Sequence, residues 1–186
     1  RTPTRVVIHN TANDAPAANE ISYMRYNDLE ISFHYAVDDV NIVQGIPENR
    51  NAWASGDGHG KGNMEGIHIE ICYSKSGGKK FDKAEQNAAE FTASLLKKYG
   101  WGIDKVTKHR DYDGKYCPHR TLHRGWQRFL SMVKRYMEPA KAPVASKFIP
   151  YLIRKNCRDA LNIRKGPSTN YGILGQIKDT LRYTIV

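Results

Sequence analysis

Through residues 5–137 the hydrophobic pattern switches repeatedly between runs that suit a strand and three- and four-residue spacing that suits a helix, which restricts this part to an α/β architecture. Arg5 to Thr11 is a compact apolar run between Pro3 and the turn-rich Asn13-Asp14-Ala15-Pro16, so it reads as a buried strand with His9 near its C-terminal end. Ala17 to Asn27 suggests a short helix. Phe33 to Val37 and Asn41 to Gly45 read as a hairpin joined by Asp38-Asp39. Asn49 to Asn63, rich in Gly, Asn and Ser, reads as an exposed loop. Gly66 to Tyr73 alternates as a strand, with Ile67, Ile69 and Ile71 on one side and His68, Glu70 and Cys72 on the other. From Asp82 the period becomes helical: Ala84, Ala88, Phe91, Leu95, Leu96 and Tyr99 share a face, Asp82 with Glu85 resembles a capping box, and Gly100 terminates the run. A second amphipathic helix carries Leu122, Trp126, Phe129, Leu130, Val133 and Met137. The expected fold is a mixed central β-sheet flanked by helices, and a 40% hydrophobic content is ample for its core.

Glu138 to Ser146 has the proline and small-residue composition of an extended linker. The expected organisation is a first domain over residues 1–138, a linker over 139–147, and a small module over 148–186. In that module Phe148 to Arg154 and Leu161 to Arg164 read as short strands around the turn cluster Gly166 to Tyr171, which suggests an incomplete all-β, barrel-like unit. The net charge of +10 is uneven: residues 1–138 hold 20 Lys and Arg against 17 Asp and Glu, and 139–186 hold 9 against 2. Such a tail attracts a polyanion, but the basic and aromatic residues form no recognisable nucleic-acid motif, so no nucleic-acid partner is expected. No apolar run approaches a membrane span, and the N-terminus, which begins at Arg1, lacks the regions of a signal peptide. Three cysteines do not make a disulfide framework, so reduced thiols are expected, with Cys72 in the core.

The polar stretch Lys108 to Arg120 concentrates His109, Lys115, Cys117 and His119. Zinc accepts thiolate and imidazole ligands, and three protein ligands leave a fourth position open for chemistry. His9 alone would read as a core histidine; beside His109 and Cys117 it reads as the third ligand. His119 follows Cys117 too closely to be an obvious fourth and reads as structural. Glu70, an acid on an otherwise apolar strand, needs either a partner or a proton.

Four segments in order carry a family resemblance: Val7-Ile8-His9-Asn10-Thr11, Phe33-His34-Tyr35, Ile67-His68-Ile69-Glu70-Ile71, and His109-Arg110-Asp111 through Asp113-Gly114-Lys115 to Cys117-Pro118. Residues 5–137 resemble the zinc-dependent N-acetylmuramoyl-L-alanine amidases, a group that includes phage endolysins and peptidoglycan-recognition proteins, and the last segment looks most like endolysins of phages and prophages of Gram-positive bacteria. The resemblance implies one zinc ion per chain held by His9, His109 and Cys117. It implies Glu70 as general base for the attacking water, Lys115 as the cation facing the developing oxyanion, and Tyr35 as a residue that orients the nucleophile or donates to the oxyanion, or else simply packs. His34, on the opposite strand face from Tyr35, reads as packing or as a hydrogen-bond partner behind the site. His68 stands where close relatives often have glycine and Ala54 where many have histidine, while Trp53 reads as a groove residue or a loop anchor.

Residues 160–175 resemble the opening of a bacterial Src-homology-3-like wall-binding module, and the sequence stops at Val186 before the later strands such a module would need. The implied function is hydrolysis of the amide between N-acetylmuramic acid and L-alanine of peptidoglycan. The alternative on the same fold is a recognition protein that holds wall peptides without cutting. The implied partners are peptidoglycan and anionic wall polymers. The implied place of action is the bacterial wall, after synthesis in a host cytoplasm for an endolysin or secretion for an autolysin.

Overall fold

A computed structural model describes residues 1–26, 28–138, 152–154, 161–164, 170, 172–177 and 182–184. The chain divides into two compact units, Arg1–Ala140 and Lys141–Val186. The first is built on a five-stranded sheet. Strand β1 (Arg5–Asn10) lies at its heart, with β4 (Gly66–Ile71) on one side and β5 (Val106–Lys108) on the other, both parallel to it. Strand β2 (Tyr35–Val37) runs parallel to β4, and β3 (Ile42–Gln44) turns back antiparallel at the edge, giving the order β3-β2-β4-β1-β5. The sheet is therefore mixed, as the alternating pattern implies. Strand β5 has no signal of its own in the sequence, because three residues are too few to establish a period.

The register assigns the two faces different work. Val6 pairs with Ile67 and Ile8 with Ile69, so these apolar side chains share one face; Val7 pairs with His68 and His9 with Glu70 on the other. The apolar face is covered by α3 (Gly78–Tyr99), which buries Phe81, Ala84, Ala88 and Leu96. That helix starts four residues before Asp82. The acidic pair that resembles a capping box is committed elsewhere: Asp82 meets Arg124 at 2.7 Å, and the buried Glu85 meets Arg124 at 3.1 Å and Arg128 at 2.6 Å. At the other end Gly100 adopts the left-handed conformation, φ 68°, that closes the helix.

The helix α1 (Ala17–Tyr26) packs on β2 and β3. Its first N–H, at Ala17, is held by Asp38 Oδ2 at 2.9 Å from the hairpin turn. The segment expected as one exposed loop over 49–63 is more structured than that: it runs into α2 (Lys61–Glu65), and Ser55 and Asn63 are fully buried. Asn63 Oδ1 accepts the N–H groups of Ala54 and Ser55, so the polar composition serves internal hydrogen bonding rather than solvation. After β5 the chain makes the short helices α4 (Arg110–Asp113) and α5 (His119–His123), and then α6 (Trp126–Met137) packs against α3 through Phe129 and Val133. The second amphipathic run is thus two helices, separated at Gly125, whose φ of 103° is open to glycine.

In the second unit β6 (Leu152–Arg154) pairs antiparallel with β9 (Arg182–Thr184), and β7 (Leu161–Arg164) with β8 (Ile173–Ile177). The linker expected over 139–147 lies outside the described residues, as do the whole Phe148–Tyr151 start of the first expected strand and most of the Gly166–Tyr171 turn. Among the described residues no helix is long and apolar enough to cross a membrane.

Candidate metal centre and its cleft

The polar face of the sheet ends in a cleft of about 480 Å³ whose floor holds His9, Glu70, His109 and Cys117. Parallel strands place their C-terminal ends together, so His9 and Glu70 arrive side by side on β1 and β4. His109 follows the last residue of β5, where its N–H donates to Ile8 O at 3.3 Å. Cys117 comes from the loop between α4 and α5.

That loop is fastened to β1 by Asn10, the neighbour of His9. Asn10 Oδ1 accepts the N–H groups of Arg120 at 2.9 Å and Thr121 at 3.2 Å, two of the donors that the first turn of α5 leaves unpaired. Asn10 lies in the first resembling segment but has no role assigned from the sequence; the clues are that membership and a short polar side chain directly after a candidate ligand.

The donor atoms converge. One each from His9, His109 and Cys117 lie within 4.8 Å of one another, and this is the one such metal-compatible group among the described residues. His9 Nδ1 is 3.1 Å from His109 Nδ1 and 4.0 Å from Cys117 Sγ. All three side chains are buried. Burial, with His68, His109 and Lys115 adding to it, holds the His9 imidazole well below its ordinary range, and burial lowers His109 as well against the pull of Asp113. Burial, followed by the charge of Glu70, pushes the Cys117 thiol up to about 12. Two neutral imidazoles and a thiol facing one another suit a cation that displaces the thiol proton, which is the donor chemistry of a zinc site.

Glu70 Oε1 lies 4.0 Å from His9 Nδ1, and Oε2 is buried without a hydrogen-bond partner. Burial first, and the charge of Glu20 second, push its carboxyl up to about 8 despite Lys115. A buried carboxyl whose oxygen meets no protein donor is poised to exchange protons with something that enters the cleft. Lys115 lines the same cleft, with its backbone N–H held by Asp113 Oδ1 at 2.9 Å. The Thr11 hydroxyl, also at the cleft, is buried without a partner.

Tyr35 is not brought into the cleft. It pairs with Ile69 and so faces the apolar side of the sheet, where its ring packs edge-on against Phe91 and its hydroxyl donates to Glu48 at 2.6 Å. Its surroundings are those of the packing alternative. His34, one residue earlier, points to the polar side and stacks on His68 with 10° between the rings. His119 binds Ser74 O at 3.2 Å, a structural contact. Trp53 is 42% exposed at the cleft rim and meets His59 edge-on. Asp113, which lies in the fourth resembling segment but has no role assigned from the sequence, accepts from His109 Nε2 at 3.0 Å and fixes which ring nitrogen faces the other donors.

The model of the N-acetylmuramoyl-L-alanine amidase family matches residues 1–120. The chain is 53% identical over 156 residues to the N-acetylmuramoyl-L-alanine amidase XlyB of Bacillus subtilis, covering 81% of this chain and 49% of that one. It is 54% identical over 151 residues to the amidase CwlA of the same organism, covering 76% and 56% respectively. It therefore spans about half the length of these curated relatives. The solved structure of PlyL superposes with a TM-score of 0.69 at 53% identity, over 71% of this chain and 84% of that one. With the family matched across every strand of the five-stranded sheet and both histidines of the donor set, the chain belongs to the N-acetylmuramoyl-L-alanine amidases.

Proposed function

We propose that this chain hydrolyses the amide joining N-acetylmuramic acid to L-alanine in peptidoglycan, with zinc held by His9, His109 and Cys117. The observation that carries the reading is the meeting of these three donors with the unpartnered carboxyl oxygen of Glu70 on the floor of one cleft. Zinc, when bound there, supplies Lewis-acid polarisation and lowers the pKa of water. Glu70 takes a proton from the attacking water and delivers it to the departing alanine nitrogen as the carbon–nitrogen bond breaks. For this it must start ionised, and a dication beside it favours the charged form that burial alone disfavours. The Lys115 ammonium at the cleft offsets the negative charge that develops on the carbonyl oxygen.

The rim fits a substrate that is part sugar and part peptide. Tyr23, Leu29, Ile31, Trp53 and Tyr116 expose apolar or aromatic surface around the cleft, which suits stacking on sugar rings, while the floor is polar. The domain division 1–138, 139–147 and 148–186 belongs to this reading, with the basic second unit a Src-homology-3-like wall-binding module that adds attraction to anionic wall polymers. The similarity to XlyB supports an amidase acting at the wall, and the resemblance of the His109–Pro118 segment to endolysins of phages and prophages supports a lysin made in the host cytoplasm.

The test pairs metal analysis with chain-end chemistry on purified walls. The expected result is about one zinc per chain and release of free alanine N-termini, both lost in Cys117→Ser. Undiminished amine release by a metal-free Cys117→Ser protein overturns the reading, and wall binding without new amines establishes the non-catalytic recognition protein instead.

A further inference from the structure

Behind the donor set stands a histidine that reaches neither the metal position nor solvent. His68 is fully buried, pairs with Val7 in the sheet register and stacks on the His9 ring at 5.1 Å between centroids. Its Nε2 lies 2.9 Å from Gly62 O, and its Nδ1 lies 2.9 Å from His9 Nε2. A peptide carbonyl only accepts, so His68 carries its proton at Nε2 and offers a lone pair at Nδ1. A hydrogen bond to that lone pair requires the proton of His9 to sit at Nε2. The remaining nitrogen of His9, Nδ1, is then bare, and it is the one that faces His109 and Cys117.

We infer that His68 is a positioning residue that relays the Gly62 carbonyl to His9 and thereby locks His9 in the tautomer that presents Nδ1 to a metal. Direct carbonyl or carboxylate partners commonly perform this task on ligating histidines, as Asp113 does for His109. Here the carbonyl is one imidazole away. The surrounding structure is built to hold the relay. The helix α2 brings Gly62 O to the sheet, and the His68 backbone N–H donates to His34 Nδ1 at 3.0 Å, fixing the strand beside the stacked rings. Gly66 leaves the space: a Cβ there would stand 2.5 Å from Gly62 O and 3.2 Å from His68 Nε2, pushing the carbonyl off its partner.

The inference rests on the zinc reading for its effect on affinity, but the tautomer is a property of the metal-free protein and can be read there. In metal-free wild-type protein, nitrogen-15 imidazole spectra should show His9 protonated at Nε2 and bare at Nδ1. Zinc competition against a chelator should show His68→Leu binding about 10–100-fold more weakly than wild type. His68→Asn, whose side-chain oxygen can occupy the acceptor position of Nδ1, should recover most of that loss. A His9 proton found at Nδ1 in the wild type, or wild-type zinc affinity in a folded His68→Leu, overturns the inference. If wild type binds no zinc, the proposed function fails, and the wild-type spectrum still decides the relay.

Discussion

Asp113 and His109 lie four residues apart on opposite ends of α4, and the turn of that helix brings Oδ2 to 3.0 Å from Nε2. The carboxylate accepts the Nε2 proton, which leaves His109 Nδ1 free to face His9. Because the same carboxylate holds the Lys115 N–H through Oδ1, removing it loosens the loop as well. Asp113→Ala should lower zinc affinity by about 10–100-fold in chelator competition, with Asp113→Asn losing less because an amide oxygen can still accept from Nε2.

Glu70 and Tyr35 come from adjacent strands yet serve opposite faces of the sheet, and substitution should separate them. Glu70→Gln keeps the volume and removes the proton acceptor, so amine release from walls should fall by about 10²–10⁴-fold while bound zinc remains. Tyr35→Phe removes a hydroxyl that donates to Glu48 and accepts from Gln44, away from the cleft. Its wall hydrolysis should match wild type, and its urea midpoint should report a loss of about 1 kcal/mol.

Acid should weaken the junction between the hairpin and α1. Burial alone would raise the Asp38 carboxyl, but the N–H groups of Asn41, Val40 and Ala17 outweigh it and hold the group below its ordinary range. A carboxylate depressed in the folded state contributes stability above its unfolded pKa, roughly 4, and loses that contribution as pH falls through the lower folded value. Asp38→Asn should therefore cost about 1–3 kcal/mol at pH 7. The gap between wild type and variant in urea titrations should narrow steadily below about pH 4.

The sequence carries the sheet and its helices through hydrophobic period, and the parity of Gly66 to Tyr73 correctly separates Ile67, Ile69 and Ile71 from His68 and Glu70. Parity alone does not say which side of a strand faces the chemistry. In Phe33-His34-Tyr35 the resemblance favours the tyrosine, whereas the register with β4 turns the histidine toward the polar face. Asp82 and Glu85 show the same limit. Their spacing satisfies a local capping rule, but Arg124 and Arg128, some forty residues later, claim both carboxylates. The residues behind the donors, Asn10, His68 and Asp113, were legible as types but not as partners, because each acts through a contact that only the folded chain creates.

The fastening of Asn10 to the first turn of α5, with the His109 N–H held by Ile8 O, ties the segments that carry His109 and Cys117 to the strand of His9 through protein hydrogen bonds. Small zinc modules whose ligands are brought together by the metal unfold when it is chelated. Here chelation should instead leave the scaffold standing, so that the protein is stripped and reloaded in solution with its far-ultraviolet circular dichroism unchanged, and ion exchange is limited by access through the cleft rather than by refolding.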